Sequence, residues 1–356
     1  MILFRCYQVI EGSIEAVFFQ NKKAIWIQDN KSLPNSDAEF YLEDPSPLFR
    51  KTFFLKDLPK KATLHITAAG YYKASINTFD LDENILDPTW TDFSKRIYYS
   101  EYDVSSKLIE GMNCLGVTLG NGFYNPLPLK MWGKINLRER LSVGKPRFIA
   151  KLAITYQSGR KEEIVSNNSW KYNYGPIVKN SVYLGTHHDA RKEIEGWKQA
   201  NFEDTDWENA IPAINPGGKL EKAFFPPIQI NREIKPKKIY STKDGKWIVD
   251  MGENFTGTYS INLSGQSGDK ITFRFGERIY PDGSLNPMTS VTGQIKKKGV
   301  GGPGSPDVAW QTDSYIIGDK SPTWFRPEFT YHAYRYMEID GLRQKPKKKD
   351  LEVLDG

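Results

Sequence analysis

The residues best suited to chemistry in this sequence lie in one short segment, residues 119–126. Its sequence is Leu-Gly-Asn-Gly-Phe-Tyr-Asn-Pro, so two glycines flank an amide, and two aromatic residues and an Asn-Pro pair follow. Glycines permit a tight bend, and loops held by a rigid scaffold are where binding residues concentrate. An aromatic ring can stack on the apolar face of a sugar while amides and carboxylates bond its hydroxyls. We therefore predict carbohydrate binding, with the candidate residues Trp90, Asp92, Asn121, Phe123, Tyr124, Asn125 and Trp132. The alternative is that Trp90, Phe123 and Trp132 are buried core residues.

Three carboxyl groups are the best candidates for acid–base chemistry. Asp250 and Glu253 lie on either side of a glycine, and Glu277 follows the alternating segment 272–275. Inverting hydrolysis of a glycoside needs two carboxyl groups roughly 6.5 to 9.5 Å apart, with room for a water between them. Turn hydrogen bonds and ion pairs with Arg274 or Arg335 explain the same residues without an active site. We therefore predict no catalytic residue in this chain.

The histidines and glycines do not form a recognisable metal, nucleophile or phosphate motif. Zinc requires three or four convergent ligands, whereas the adjacent His187 and His188 point to opposite faces of an extended segment. There is no Gly-x-Ser-x-Gly motif, and the glycines of 299–304 lack the Lys-Ser/Thr of a phosphate-binding loop. The sequence therefore predicts neither a metal nor a cofactor.

Composition narrows the class of protein further. Of 356 residues 26% are charged, and the net charge is +6. The basic runs, 296–298 and 345–349, are short and scattered, so we expect no nucleic-acid partner. The two cysteines, Cys6 and Cys114, exclude a disulfide framework. No stretch approaches the eighteen apolar residues of a membrane span, so no membrane partner is expected.

The first residues do not resemble a signal peptide, because no apolar core follows a basic start. This predicts a cytoplasmic protein if residue 1 is the true start, and a periplasmic or secreted one if residues precede it.

Short alternating runs predict strands, and helical periodicity is scarce. The runs are 63–67, 71–76, 115–119, 148–156, 247–250, 271–275, 315–317 and 334–339. Turn residues between them indicate an all-β fold of two consecutive antiparallel, jelly-roll-like β-sandwich domains with few short helices. A proline-stiffened stretch near Pro226 suggests the boundary. The predicted domains are 1–225 and 226–345, and 346–356 is expected to be a linker.

Several motifs, in order, resemble the amino-terminal region of bacterial α-L-rhamnosidases of glycoside hydrolase family 78. In the first half they are Ala-Ala-Gly-Tyr-Tyr-Lys at 68–73, Trp-Thr-Asp-Phe at 90–93, Arg-Ile-Tyr-Tyr at 96–99, Tyr-Asp-Val at 102–104, Glu-Gly-Met-Asn at 110–113 and the segment 119–126. In the second they are Asp-Met-Gly-Glu-Asn-Phe-Thr-Gly at 250–257, Phe-Gly-Glu at 275–277, Asp-Ser-Tyr at 313–315 and Phe-Thr-Tyr-His-Ala-Tyr-Arg-Tyr at 329–336. The resemblance covers about 24–342.

The resemblance implies two β-sandwiches that precede an (α/α)6 catalytic barrel with an Asp-Cys-Pro-x-Arg-x-Glu-like motif, which this sequence does not contain. It implies rhamnose-containing carbohydrate and the catalytic domain of the same protein as partners. Some members hold calcium partly through backbone carbonyls of such a loop, but residues 70–73 offer only aromatics and a cation beside it. His188–Arg191 resembles a Tyr-Asp-Ala-Arg motif, and we expect Asp189 and Arg191 to position the domains.

Three hypotheses follow. The chain is the non-catalytic amino-terminal region of an α-L-rhamnosidase, or a free-standing carbohydrate-binding protein, or a glycosidase that uses the carboxylates of its second half. The first is preferred. Reading the gene beyond codon 356 separates the first two, and an assay with a chromogenic rhamnoside tests the third.

Overall fold

The computed structural model describes residues 17–18, 22–81, 84–131, 135–291 and 311–355, and their regular structure is almost entirely β. In chain order the strands are β1 (Ile27–Gln28), β2 (Pro47–Leu55), β3 (Pro59–Ala69), β4 (Tyr71–Ile76), β5 (Phe79–Asp80), β6 (Arg96–Asp103), β7 (Gly111–Gly120), β8 (Lys130–Met131), β9 (Ile135–Asn136), β10 (Arg147–Tyr156), β11 (Lys161–Val165), β12 (Lys171–Tyr174), β13 (Ile177–Ser181), β14 (Gly185–Asp189), β15 (Glu208–Asn209), β16 (Ile211–Pro212), β17 (Lys219–Lys222), β18 (Arg232–Ile234), β19 (Lys238–Ser241), β20 (Trp247–Leu263), β21 (Lys270–Gly276), β22 (Arg278–Ile279), β23 (Leu285–Asn286), β24 (Thr312–Ile316), β25 (Thr323–Phe325), β26 (His332–Asp340) and β27 (Leu351–Asp355).

Helices in the described part of the chain are short. They are the α-helix α1 (Leu137–Arg140) and the 3₁₀ helices Glu39–Tyr41, Ser105–Lys107, Ala190–Lys192, Pro287–Ser290 and Lys348–Asp350. None of the described helices is long and apolar enough to cross a membrane. Every alternating run predicted above overlaps a strand, so the predicted all-β class is confirmed.

The first sandwich consists of a seven-stranded and a six-stranded sheet. The seven-stranded sheet has the order β16-β1-β10-β3-β6-β17, with β11 also on β10, and the six-stranded sheet has the order β15-β12-β2-β7-β4-β5. Alternation along β3 turns Leu64 and Ile66 into the shared core. The rings of Phe49 and Phe148 meet edge to face there, with centroids 5.1 Å apart. Apolar burial between the sheets therefore holds this domain together.

A ten-stranded sheet dominates the second half. Its order is β13-β14-β24-β21-β26-β20-β27-β18, and β19 and β25 also pair with β20. The pairing of β20 with β26 is irregular between Asp250 and Phe255, which flank Gly252 with its φ of +89°. A bulge of this kind bends a strand. Both halves of β20 pair with β26, whereas β19 pairs only with the first half and β27 and β25 pair only with the second. Tyr259 and Phe273 lie in the core of this domain, where their rings are 5.1 Å apart.

The sheets differ from the predicted boundaries in two places. The hairpin β13–β14, which the sequence places in the first sandwich, joins the second sheet, where His187 pairs with Ser314 across parallel strands. The predicted linker 346–356 contains β27, which lies between β20 and β18. Buried Leu351 and Val353 alternate there with exposed Glu352, so apolar burial makes this segment a strand. Described pairings are antiparallel apart from β14 with β24 and β17 with β6.

Candidate functional site

A large cavity among the described residues is a groove where the two sandwiches meet. It has a volume of about 660 Å³ and is lined by segments of the first sandwich, of the connection after Pro226 and of the second domain. We call it the aromatic groove, and the residues used below are Tyr71, Trp90, Phe123, Ile228, Thr258 and Tyr331. Ligand pockets in proteins are concave, largely apolar and of comparable size, and they occur preferentially at domain interfaces.

Trp90 and Phe123 form the aromatic wall of the groove. Their rings stack with centroids 4.6 Å apart and planes inclined by 28°. Phe123 is held from behind by edge contacts with Tyr71 and Tyr183, whereas Trp90 is 46% exposed. The structure thus brings two of the predicted residues together, one anchored and one presenting its ring to solvent. Trp90 is not a core residue.

Asn121 and Asn125 hold the loop in place. The backbone N–H of Asn121 donates to Asn180 Oδ1 at 2.7 Å, and its Nδ2 donates to the Asn180 carbonyl at 2.9 Å. Asn125 Nδ2 donates to Asn121 Oδ1, and Arg138 Nη1 donates to Asn125 Oδ1 at 2.8 Å. Neither of these two amide side chains lines the aromatic groove. Their hydrogen bonds are already used within the protein.

Of the other three candidates, Tyr124 and Asp92 also lie outside the groove. Tyr124 is only 4% exposed and packs edge to face on Phe93 in the core. Asp92 closes a turn, because its carboxylate accepts hydrogen bonds from the N–H and hydroxyl of Ser94. Trp132 lies outside the described residues.

The residues around this loop do not suit the calcium ion that the resemblance suggests. Calcium takes oxygen ligands and favours carboxylates. Here the side-chain oxygen of Asn125 accepts a hydrogen bond from the guanidinium of Arg138, which places a positive charge beside this oxygen. The side-chain oxygen of Asn121 already accepts a hydrogen bond from Asn125. The donor set of the loop therefore does not fit this ion.

Sequence reasoning missed the far wall of the groove. Ile228 and Tyr331 line it and are 44% and 38% exposed. Thr258 lines its floor and is 7% exposed, and its hydroxyl has no hydrogen-bond partner among the described residues. The Pro-Pro-Ile run at 226–228 is the sequence feature that belongs to this wall, although by itself it predicts only a stiff connection between domains.

Two of the three carboxylates considered for hydrolysis are in ion pairs. Asp250 receives two hydrogen bonds from Arg335, with Nε to Oδ1 at 2.9 Å and Nη2 to Oδ2 at 3.2 Å. Burial alone would raise the pKa of Asp250, but Arg335 and the N–H of Gly252 outweigh it and lower this pKa. Glu253 pairs with Arg232 at 3.1 Å, and Glu277 is exposed. This arrangement matches the structural alternative stated for these residues.

The four histidines lie in separate environments, and His65 faces Glu101 with Nδ1 3.3 Å from Oε1. His187 bonds the Ser314 hydroxyl at 2.7 Å, while His188 stacks on Tyr315 with centroids 5.1 Å apart. His332 is fully buried, with Nε2 2.8 Å from Asp313 Oδ2. Within the ranges that the structure describes, no three metal-binding side chains converge.

Asp189 and Arg191 form a bidentate ion pair. Arg191 Nε donates to Asp189 Oδ1 at 2.9 Å, and Nη2 donates to Oδ2 at 2.7 Å. Asp189 also accepts from the Arg191 N–H and so begins the 3₁₀ helix that follows β14. The pair ends the hairpin that crosses between the two domains, which agrees with a positioning role.

These features define a class: a protein of two β-sandwich domains with an aromatic groove where they meet. The family comparisons are more specific. Residues 57–232 match the model of the α-L-rhamnosidase N-terminal domain, and residues 240–355 match that of the bacterial α-L-rhamnosidase concanavalin-like domain. The chain therefore belongs to the α-L-rhamnosidases of glycoside hydrolase family 78 and corresponds to their N-terminal region.

Individual relatives agree. An α-L-rhamnosidase of Formosa agariphila is 32% identical over 84% of this chain, and one of Streptomyces avermitilis is 30% identical over 80%. The matches span only 30% and 26% of those proteins.

Solved structures extend the likeness to the fold. The α-L-rhamnosidase of Dictyoglumus thermophilum superposes with a TM-score of 0.78 at 36% identity, covering 95% of this chain and 36% of that one. The enzyme of Aspergillus terreus superposes with a TM-score of 0.81 at 26% identity, and the match covers 96% of this chain and 36% of that one. A structure of the Streptomyces avermitilis enzyme complexed with L-rhamnose superposes with a TM-score of 0.78 at 27% identity. That match covers 88% of this chain and 28% of the other.

Proposed function

We propose that this chain is the non-catalytic N-terminal region of an α-L-rhamnosidase that removes terminal α-L-rhamnose from glycans or glycosides. The observation that carries this proposal is the pair of family matches, which together follow both sandwiches of the chain. The relatives are named for that activity, and the chain spans about 30% of the length of the Formosa agariphila protein. The proposed role is to support the catalytic domain of the same protein.

Catalysis by the chain alone has little support in its geometry. Asp250 is neutralised by Arg335 and Glu253 by Arg232, so neither carboxylate is free to act as an acid or base. The test is hydrolysis of a chromogenic α-L-rhamnoside by the folded chain, for which we expect no turnover. Turnover that is lost in Glu277→Gln would contradict the proposal.

The aromatic groove is the proposed carbohydrate-binding surface. A pyranose ring has an apolar face that stacks on an exposed indole, and Trp90 offers such a ring beside Tyr331. The Thr258 hydroxyl at the floor lacks a partner, which is costly when buried and is relieved by a polar ligand that reaches it. L-rhamnose is the first ligand to test, because a related structure holds it.

Calorimetry of the chain with L-rhamnose, with and without calcium, tests this binding. We expect binding that does not depend on calcium and that weakens about tenfold in Trp90→Ala, as loss of a stacking partner predicts. Trp324→Ala is the matched control, because Trp324 is 49% exposed and lies outside the groove. Absence of heat in both conditions, or equal weakening in both variants, would reject the groove as a sugar site.

A further inference from the structure

A second, charged pocket lies at the same domain junction. It has a volume of about 150 Å³, and its walls come from both sandwiches. We call it the charged pocket, and the residues that matter are Lys73, Ser75, Asp80, Trp197, Arg326 and Glu328, together with Lys198. A small intermediate cavity shares Lys73, Arg326 and Glu328 with it and shares Thr258 and Thr330 with the aromatic groove. The two sites therefore lie along one interdomain cleft.

The charges in the pocket are arranged as a chain. Lys73 Nζ lies 2.6 Å from Glu328 and 3.6 Å from Asp80, and Lys198 bonds the other oxygen of Asp80. These two lysines neutralise the two carboxylates. The pKa of Lys73 is raised, chiefly by Glu328, so the ammonium is retained.

Arg326 carries a positive charge that the ion pairs of Lys73 and Lys198 do not involve. It lines the pocket and is partly buried, and it forms no ion pair or hydrogen bond with any residue that the structure describes. Its charge is close enough to lower the pKa of Lys73, so the guanidinium adds a positive potential to this space. A guanidinium presents a planar fork that binds a carboxylate through two parallel hydrogen bonds. Among the described residues that line it, the pocket thus has three cations for two carboxylates, so one anion is lacking there.

The remaining walls add an indole ring and a buried hydroxyl to these charges. Trp197 contributes an indole that is backed by Trp207, with centroids 6.3 Å apart. Gly116 leaves the room for this indole, because a Cβ there would lie 3.0 Å from Trp197 Cζ3. Ser75 is 2% exposed, and its hydroxyl has no hydrogen-bond partner among the described residues. Asp80 and Glu328 retain lone pairs that can accept hydroxyl protons.

We propose that the charged pocket binds a sugar acid, with the carboxylate of one hexuronate unit on Arg326 and its ring against Trp197. The volume of about 150 Å³ suits one pyranose unit rather than a longer chain. The Lys198 ammonium lies 5.6 Å from the centroid of the Trp197 ring, so a sugar would pack beside it on the indole. Neutral sugars would leave the guanidinium unpaired, and a simple carboxylate would make no contact with the indole. This inference does not depend on rhamnose binding in the aromatic groove.

The test is calorimetry of the 356-residue chain at constant ionic strength with sodium D-glucuronate, D-glucose and sodium acetate. We expect glucuronate to bind at least tenfold more tightly than either of the others, because a charge-assisted bidentate pair accounts for at least that factor. Glucose equal to glucuronate would overturn the role of Arg326. Acetate equal to glucuronate would overturn the assignment to a sugar, and no binding of glucuronate would overturn the site.

Variants separate this site from general electrostatics. Arg326→Ala should weaken glucuronate binding at least tenfold, and Arg326→Lys should weaken it less, because lysine keeps the charge without the fork. Arg278→Ala is the control, since Arg278 is exposed and lies outside the pocket. Equal weakening by Arg278→Ala would refute the proposal, and so would unchanged affinity in Arg326→Ala.

Two further controls keep the outcome clear. Melting temperatures should match that of the native chain, because Arg326 makes no internal ion pair among the described residues; if Arg326→Ala does not fold, Arg326→Lys carries the test. Trp90→Ala should leave glucuronate affinity unchanged, so failure of rhamnose binding and failure of this site are separate results.

Discussion

Replacement of Arg50 by methionine is expected to destabilise the first sandwich strongly. Arg50 lies in β2 with 1% of its surface exposed, and its guanidinium reaches across to the loop 197–204. Nε donates to the Trp197 carbonyl at 3.0 Å, Nη2 donates to the Gln199 carbonyl at 2.8 Å, and Nη1 bonds the Asp204 carboxylate. This one side chain thus fixes the wall of the charged pocket that contains Trp197.

The expected loss follows from these contacts. A hydrogen bond from a charged donor contributes about 1.5 to 3 kcal/mol, and two well-formed bonds to carbonyls are lost. The contact of Nη1 with the Phe202 carbonyl, at 3.5 Å, adds little. Because Gln199 is exposed, water can replace part of the hydrogen bonding that the loop loses. We therefore expect a loss of about 3 to 4 kcal/mol in the free energy of unfolding.

Urea unfolding followed by tryptophan fluorescence and far-UV circular dichroism measures this loss, and coincident transitions justify a two-state free energy. Arg50→Lys should lose about half as much, because it keeps the charge but not the fork. Asp204→Asn should lose only about 1 kcal/mol, since Asp204 is 23% exposed and also faces Lys171. Arg278→Met, at an exposed position, should stay within about 0.5 kcal/mol of the native chain. A loss below about 1 kcal/mol in Arg50→Met would refute this account.

Three further perturbations test the domain junction. Gly120→Ala places a Cβ 2.3 Å from the ring of Phe329 and should cost about 1 to 3 kcal/mol, so an unchanged melting temperature would argue against this contact. Burial lowers the pKa of His187 to about 4, so the unfolded chain binds more protons below its ordinary pKa of about 6.5. Stability should therefore fall as the pH drops from about 6.5 to about 4, and His187→Gln should flatten this part of the profile; an identical profile in the variant would contradict the assignment. Arg191→Ala should lower the melting temperature through loss of the pair with Asp189 and leave rhamnose affinity unchanged, and the opposite ranking in calorimetry and melting would exclude a positioning role.

The sequence was a good guide to the strands and to the family. Alternation such as that of Leu64 and Ile66 in β3 reports burial on one face of a sheet, which is a local property. Trp90 and Phe123 are among the candidates that the sequence offers for a sugar platform, and the structure stacks their rings in the groove.

The amides show where this reasoning fails. Asn121 and Asn125 have the chemistry to bond a sugar, but Asn180 and Arg138 occupy them. The sequence near residue 121 does not indicate that its hydrogen-bond partner lies 59 residues away. A side chain's hydrogen-bonding capacity is a property of its type, whereas the partner that uses it is set by the fold.

The amino-acid sequence by itself determined the all-β class and the family, because periodicity and motif order are encoded along the chain. Only the tertiary structure decided that the hairpin β13–β14 leaves the first sandwich for the second sheet, and that Lys73 and Glu328 face each other in one pocket. Those contacts join residues separated by more than 100 positions. They depend on how two sheets pack, and local pattern carries no information about that packing.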